Sequence, residues 1–307
     1  MDAQPRVGIG LPVYNGQKYI EETVVSILNQ TYSDFELIIC DNASTDQTQA
    51  ICQSYMAKDK RIRYYRNAKN LGVALNYNRV FELSAGDYFK WADYDDLLAP
   101  DFLSKTIQVL NQNPLVAVCF PRVKLIDEHG KFIGNYDPLP DTSSPKAGER
   151  FRNLILDPRR AVQAMGLMRS VVIKKTHLHG KYPSSDEVFM AEMALLGRFC
   201  EIPDRVLSVR IHPEQSTQGA LASQRKRVLF FDPSAEGKTV LLKWLYFEGC
   251  LTAIQNAPLT LGERLYCYLQ MIRWLLIWKN FKSMTKDLLL GARELVRSVV
   301  RPGAKAG

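Results

Sequence analysis

The sequence predicts an α/β chain, a doubly wound and mostly parallel sheet followed by a C-terminal helical appendage. Short apolar runs alternate with amphipathic stretches, and most of these runs end in a polar motif. Near Gln215 the pattern gives way to helices rich in Lys and Arg. The central stretch is Lys90-Trp91-Ala92-Asp93-Tyr94-Asp95-Asp96-Leu97-Leu98-Ala99-Pro100, where three carboxylates fall within four residues after an apolar run. Acids that end a strand meet at the sheet's carboxyl edge, where open α/β sheets bind ligands, and there they can hold a hard divalent cation against phosphate. A polar turn capping the next helix is the competing reading.

Composition bounds the choice. The chain has 307 residues, 46% hydrophobic and 23% charged, enough for one large domain with an appendage and unlike a disordered or collagenous chain. A net charge of +8 and a pI near 9.1 suit nucleic acid, anionic lipid or phosphorylated substrates, without choosing among them. Six scattered cysteines form no Cys-x-x-Cys pair, so reduced, buried thiols in a cytoplasmic protein are expected. No apolar leader and no run of 18 uncharged apolar residues is present, which argues against secretion and membrane spanning.

In chain order, Val7–Val13 reads as a buried parallel strand broken by Tyr14-Asn15-Gly16. A helix follows from Tyr19 to Leu28, with Ile20, Val24, Ile27 and Leu28 at helical spacing and Glu21 and Glu22 in its first turn. Phe35–Cys40 is a second strand, and Asp41–Asp46 both turns the chain and caps a helix from about Gln47 to Lys58. Ile62–Tyr65 is a third strand, with a loop to Gly72 and a helix to about Ser84. After the acidic cluster come a helix to about Asn111, a strand Val116–Phe120 and a hairpin through Asp127–Gly130. Asp137–Gly148, rich in Pro, Ser and Asp, reads as a mobile loop over the site. Val171–Ile173 is expected as a strand, Val188–Gly197 as a helix and Ile202–Arg210 as a closing strand. His129, His177 and His179 read as loop residues.

From Lys238 to Gly307 there are 11 Lys or Arg against 4 Asp or Glu, most of the chain's positive excess. Leu265–Phe281 is too interrupted by Arg273 and Lys279 to span a bilayer. On a helix it gathers Leu265, Tyr268, Leu269, Ile272, Leu275, Leu276 and Phe281 near one face, which either packs on the preceding domain or, with Trp274 and Trp278 beside basic residues, lies on an anionic membrane surface. Arg293, Arg297 and Arg301 follow on a second helix. The boundary is set at 217, dividing the chain into 1–217 and 218–307.

Taken in order, Leu11-Pro12-Val13-Tyr14-Asn15-Gly16, Ser26–Thr31, Phe35–Asp46, Asn70-Leu71-Gly72 and Asp93-Tyr94-Asp95-Asp96 resemble a family 2 glycosyltransferase of the GT-A fold over roughly residues 6 to 217. The resemblance implies an inverting transferase that uses a nucleotide-diphosphate sugar with Mg²⁺ or Mn²⁺, and a catalytic domain over residues 1–217. It implies Asp95 as first metal ligand, Asp93 facing the ribose or supporting the metal, and Asp96 either supporting them or capping the next helix. Pro12, Tyr14 and Asn15 match the segment that packs on the nucleobase, with a core Tyr as the alternative for Tyr14. Asp41 and Asn42, with Gly72, match the nucleotide cradle. Relatives often carry an acid where Asn42 stands, and its carbonyl can still accept an imide proton. A UDP-sugar is the favoured donor.

The acceptor hydroxyl must lose a proton as it attacks the anomeric carbon. Asp186 matches the family's base and Glu187 is the alternative, while a Ser184-x-x-Glu187 capping box explains the same acids without catalysis. His212-Pro213-Glu214-Gln215-Ser216 is similar to the family's lid over the pyrophosphate, His212 being either a metal or phosphate partner or a structural residue. The expected partners are the donor, a glycan or lipid-linked hydroxyl acceptor and an anionic membrane surface on the cytoplasmic side. A homo-oligomer stays open and nucleic acid is not expected. Two alternatives stand beside this reading. A sugar nucleotidyltransferase would need a Gly-rich basic loop after the first strand, where Pro12-Val13-Tyr14-Asn15 stands. A non-catalytic membrane-surface protein would have no use for intact Asp93, Asp95 and Asp186.

Overall fold

A computed structural model describes residues 6–136, 140–157, 162–215 and 223–300, with side chains up to residue 293. β1 (Val7–Val13) is buried at every position and pairs in parallel with β2 (Phe35–Asp41) and β4 (Tyr88–Trp91); β2 pairs in parallel with β3 (Ile62–Arg66). The crossovers are α1 (Ile20–Leu28), α2 (Thr48–Met56) and α3 (Val73–Glu82). A Cβ at Gly10 would lie 2.5 Å from the Val80 side chain, so the missing side chain lets α3 seat on β1. The strand order β3-β2-β1-β4 reverses direction between β1 and β4. That reversal opens a crevice at their carboxyl ends, the place where open α/β sheets take ligands.

The sheet continues β4-β8-β6-β9-β5. The short β8 (Leu167–Arg169) runs antiparallel to both β4 and β6 (Val116–Ile126), and so joins the parallel β3-β2-β1-β4 half to a mixed second half. β6 pairs in parallel with β9 (Arg198–Arg210) and in a hairpin with β7 (Phe132–Tyr136). The two-residue β5 (Leu97–Leu98) leaves the acidic cluster to pair with β9 before α4 (Phe102–Gln112) begins.

Several expectations are corrected. Val171–Ile173 is not a strand but lies in α6 (Ser170–Ile173): the strand is the preceding β8, and Ser170 turns the chain by donating from its hydroxyl to Gly86 O at 2.6 Å. The segment expected to cover the site does not do so in its described part, residues 140–148; residues 137–139 lie outside the described residues. Thr142 is buried and its carbonyl accepts from Phe199 N at 3.2 Å, at the start of β9 and hence at the amino edge of the sheet. Ala147 and Gly148 already belong to α5 (Ala147–Leu156). The β6–β7 hairpin tip, residues 127–130, stands at the carboxyl edge instead.

The C-terminal helices are α8 (Gln224–Phe231), α9 (Leu242–Asn256), α10 (Leu261–Leu276) and α11 (Trp278–Val300). Ile155, Ala191 and Leu195 of α5 and α7 (Ser185–Leu196) form one buried cluster with Cys250, Met271 and Trp274 of the tail. Leu265–Phe281 is not one helix, since α10 ends at Leu276 and extended Ile277 separates it from α11, and its inner face differs from the expected one. Trp274 is buried and stacks on Tyr246 at 5.1 Å, whereas Leu265, Leu269 and Leu276 point outward. Arg297 belongs to the same helix as Trp278, its side chain beyond the described ones, and Arg301 lies outside the described residues.

Candidate functional site

The crevice has two sides. On the β2 side, Asp41 is fully buried: one carboxylate oxygen accepts from Ser44 N at 2.7 Å, the other from Tyr64 Oη at 2.7 Å and Arg66 Nη1 at 2.6 Å. Asn42 Oδ1 accepts from Asn67 Nδ2 and Leu71 N, both at 2.9 Å. Its Nδ2 donates to Asn70 Oδ1 at 2.8 Å and Gly72 O at 3.2 Å. The Asn42 carbonyl expected to meet an imide proton is thus fully engaged inside the protein, and the residue shapes the loop to Gly72. Gly72 opens α3 at φ +84°, and a Cβ there would come 2.3 Å from the Phe231 carbonyl, which packs the segment after α8 onto this loop. Asn15, at φ +52°, ties the first loop to the second, its N–H donating to Ser44 Oγ and its Oδ1 accepting from Thr45 N. Pro12 sits in β1 beyond the last residue that pairs with β4. Tyr14, just past the carboxyl end of β1, is 37% exposed, which removes the core reading.

On the β4 side the acids are crowded. The α1 residue Thr23 holds their loop, donating to Tyr94 O at 2.8 Å and Asp96 O at 2.9 Å. Asp95 Oδ2 lies 2.8 Å from His212 Nε2, both residues being buried. His212 Nδ1 is also buried and has no partner among the described residues. Asp93 accepts from the Tyr77 hydroxyl. Burial and the neighbouring Asp95 push the Asp93 carboxyl up to about 6, and burial with the same neighbours raises Asp96 well above the usual carboxylate range. Asp96 caps no helix; Asp101 precedes α4, and Asp96 Oδ1 accepts from Arg210 N at 3.0 Å. Among the described residues no group of three or more His, Cys, Asp or Glu is arranged as a metal cluster. Asp95 and His212 come together from the expected set, and Asp93 turns to Tyr77.

Asp186 and Glu187 occupy the first turn of α7, and the capping box expected there is not formed. Ser184 is in the left-handed region at φ +68° and its side chain caps no backbone N–H. Burial raises Asp186, opposed by N–H groups of the helix start and by Arg227. Burial and the neighbouring Asp186 raise Glu187. The Asp186 charge adds a smaller push to Asp93, after burial and Asp95.

Sequence reasoning missed three residues. Tyr77 holds Asp93. Arg210, fully buried, donates from Nε to Asp95 O at 2.9 Å, from Nη2 to Glu22 Oε2 at 2.7 Å and from Nη1 to Glu128 O at 3.2 Å, and so clamps the acid loop, α1 and the hairpin tip together. His179 lies in a loop as expected, but a buried one: it packs against Tyr77, Trp91 and Phe189, and burial lowers its imidazole to about 4. An Arg in a strand and a His in a loop carry no local signal for such contacts. Of the other two, His177 Nδ1 pairs with Glu192 Oε1 at 2.7 Å, and His129 lies at the hairpin tip as expected.

An uncharacterised glycosyltransferase of Methanocaldococcus jannaschii is 33% identical over 137 residues, 44% of this chain and 47% of that protein, so the chain spans about half of that relative's length. Among solved structures, S. aureus TarS 1–349 in complex with UDP-GlcNAc superposes with a TM-score of 0.57 at 16% identity, covering 93% of this chain and 92% of the other. The mannosyltransferase PcManGT from Pyrobaculum calidifontis, in complex with GDP-Man and Mn²⁺, gives 0.53 at 16% identity over 96% and 87%. At these identities the likeness is one of fold. The profile of glycosyl transferase family 2 matches residues 9–175, more than half of the sequence, and with the GT-A sheet and its acidic crevice this makes the chain a glycosyltransferase of that family.

Proposed function

We propose that the protein is an inverting glycosyltransferase that moves a sugar from a nucleotide-diphosphate sugar, with UDP-sugars favoured, to a hydroxyl of a glycan or lipid-linked acceptor. The observation that carries this reading is the Asp95–His212 pair at the switch-point crevice. Residues 1–217 carry the chemistry in this reading. Tyr14 offers its exposed ring to the base, while Asp41 and Asn42 act by fixing the loops around it. Asp186 takes the proton of the acceptor hydroxyl, whose oxygen bonds to the anomeric carbon as the bond to the diphosphate breaks and the nucleotide leaves with the electron pair. Asp95 and His212 would hold a Mg²⁺ or Mn²⁺ ion, and His212 Nδ1, which has no partner among the described residues, fits a site built for a cation and its phosphate ligands. Such an ion supplies positive charge where the leaving phosphate becomes more negative.

TarS was solved with a uridine nucleotide sugar and PcManGT with a guanosine one, so the base is the first thing to test. Release of nucleoside diphosphate should be measured from UDP-, GDP- and dTDP-sugars, with Mn²⁺ and with EDTA. Metal-dependent release from a UDP-sugar is expected. No release from any of them, with a glycan or lipid-linked acceptor mixture present, would sink the reading.

A further inference from the structure

The outer face of α10 is apolar throughout its length. Leu261, Leu265, Leu269, Ile272 and Leu276 recur at helical spacing and are each more than half exposed, from 52% at Ile272 to 75% at Leu261. The opposite face of the same helix buries Cys267, Met271 and Trp274 against the rest of the protein. A helix that is apolar on both sides normally lies inside a core or against an apolar medium, and an exposed apolar band of this size marks an interaction surface. The band continues without a break, since Ile277 and Trp278 are exposed too, and the Trp278 ring stacks on exposed Phe281 at 6.2 Å.

Charge identifies the occupant. On α11, Lys279, Lys282, Lys286 and Arg293 are all exposed beside the band. The one acid of that stretch, Asp287, is turned inward, accepting from Lys243 N at 2.9 Å. An apolar band edged by cations is complementary to anionic headgroups above an acyl layer. A second copy fits less well, because a two-fold contact through this face sets the lysine row near itself. Among the described residues no helix is long and apolar enough to cross a membrane.

We infer that α10 and the first half of α11 form a docking face for an anionic phospholipid bilayer, with the α10 leucines in the acyl boundary and the α11 lysines at the headgroups. This does not depend on the donor or on catalysis. The test is flotation of the full chain with vesicles of equal parts phosphatidylglycerol and phosphatidylcholine, against pure phosphatidylcholine. The chain should float with the anionic vesicles at about 0.1 M salt and be released at about 1 M. Lys279→Gln, Lys282→Gln and Lys286→Gln together should lower partitioning roughly a hundredfold, about fivefold for each charge. Leu265→Ser, Leu269→Ser and Ile272→Ser together should abolish flotation; all three side chains face solvent, and an unchanged circular dichroism spectrum checks the fold. Failure to float at low salt overturns the inference. So does flotation unaffected by the serine changes, or a dimer seen in sedimentation that the same changes dissolve.

Discussion

The two sides of the crevice are built on opposite principles. Around β2, Asp41 is satisfied by Ser44, Tyr64 and Arg66, and Asn42, Asn67, Asn70 and Asn76 are linked in a paired network, for example Asn67 Nδ2 donating to Asn76 Oδ1 at 3.0 Å and Asn76 Nδ2 donating to Cys40 O at 2.8 Å. Around β4, three carboxylates and a histidine are crowded in a buried loop, with two of the acids raised and one imidazole nitrogen left over. A fully paired network is rigid and adds no charge. A crowded acid cluster is held at a cost to stability that a bound cation would relieve. One side is therefore a finished wall, and the other keeps crowded charge and an imidazole nitrogen with no partner among the described residues.

The largest effect should come from removing the charge on the unfinished side. Asp95→Asn should lower turnover about 10³-fold or more, as expected when several kcal/mol of charge stabilisation is lost. The same change should leave the melting temperature unchanged or raised, because it relieves Asp93 and Asp96; a melting temperature that falls would mean that the acid loop is structural.

Next is the base. Asp186→Asn should cost roughly 10²- to 10⁴-fold in kcat with little change in donor affinity. Because burial raises Asp186 and only the ionised carboxylate can take a proton, kcat should climb with pH through a value above the ordinary Asp range. That limb should vanish in Asp186→Asn. If Glu187→Gln removes it instead, the base is one residue further on.

How much of this was open to sequence reading follows from distance along the chain. β1, β2, β3 and β4 are apolar runs whose motif residues sit at their own ends, so Tyr14, Asp41 and Asp93–Asp96 were legible as edge residues. What Asp95 and Asp96 touch was not, because Arg210 and His212 lie more than a hundred positions away. β8 was misplaced because three residues between two other strands carry too little pattern, and the β-branched Val171-Val172-Ile173 beside them drew the assignment. In the tail the periodicity was sound, yet α10 has apolar residues on both faces, and nothing local says which one turns inward.

Two smaller effects sharpen the contrast. Burial lowers the His179 imidazole to about 4 where an unfolded His titrates near 6.5, so the unfolded chain takes up the proton first. Stability is thus complete above about pH 6.5 and falls as pH drops toward about 4, by about 3 kcal/mol in all. Urea titrations of wild type and His179→Phe at several pH values should show that slope in the first and not in the second. Smallest, Asn42→Asp should destabilise by about 2 kcal/mol, since a carboxylate would then face Asn70 Oδ1 and the Gly72 carbonyl. A variant that instead gained affinity for a uridine nucleotide at no loss of stability would show that the wall can be opened to the base.

The clamp made by Arg210 also bears on when the protein becomes active during its own synthesis. Every acid of the crevice's β4 side is made by residue 96, and the family match ends at 175, but the guanidinium that holds the acid loop and the imidazole that faces Asp95 come from residues 210 and 212. Because domains fold as units while the N-terminal part emerges first, a nascent or prematurely ended chain would hold the whole acidic motif and no arranged site. On the proposed reading, competence to handle a sugar nucleotide would arrive only once β9 and His212 are in place.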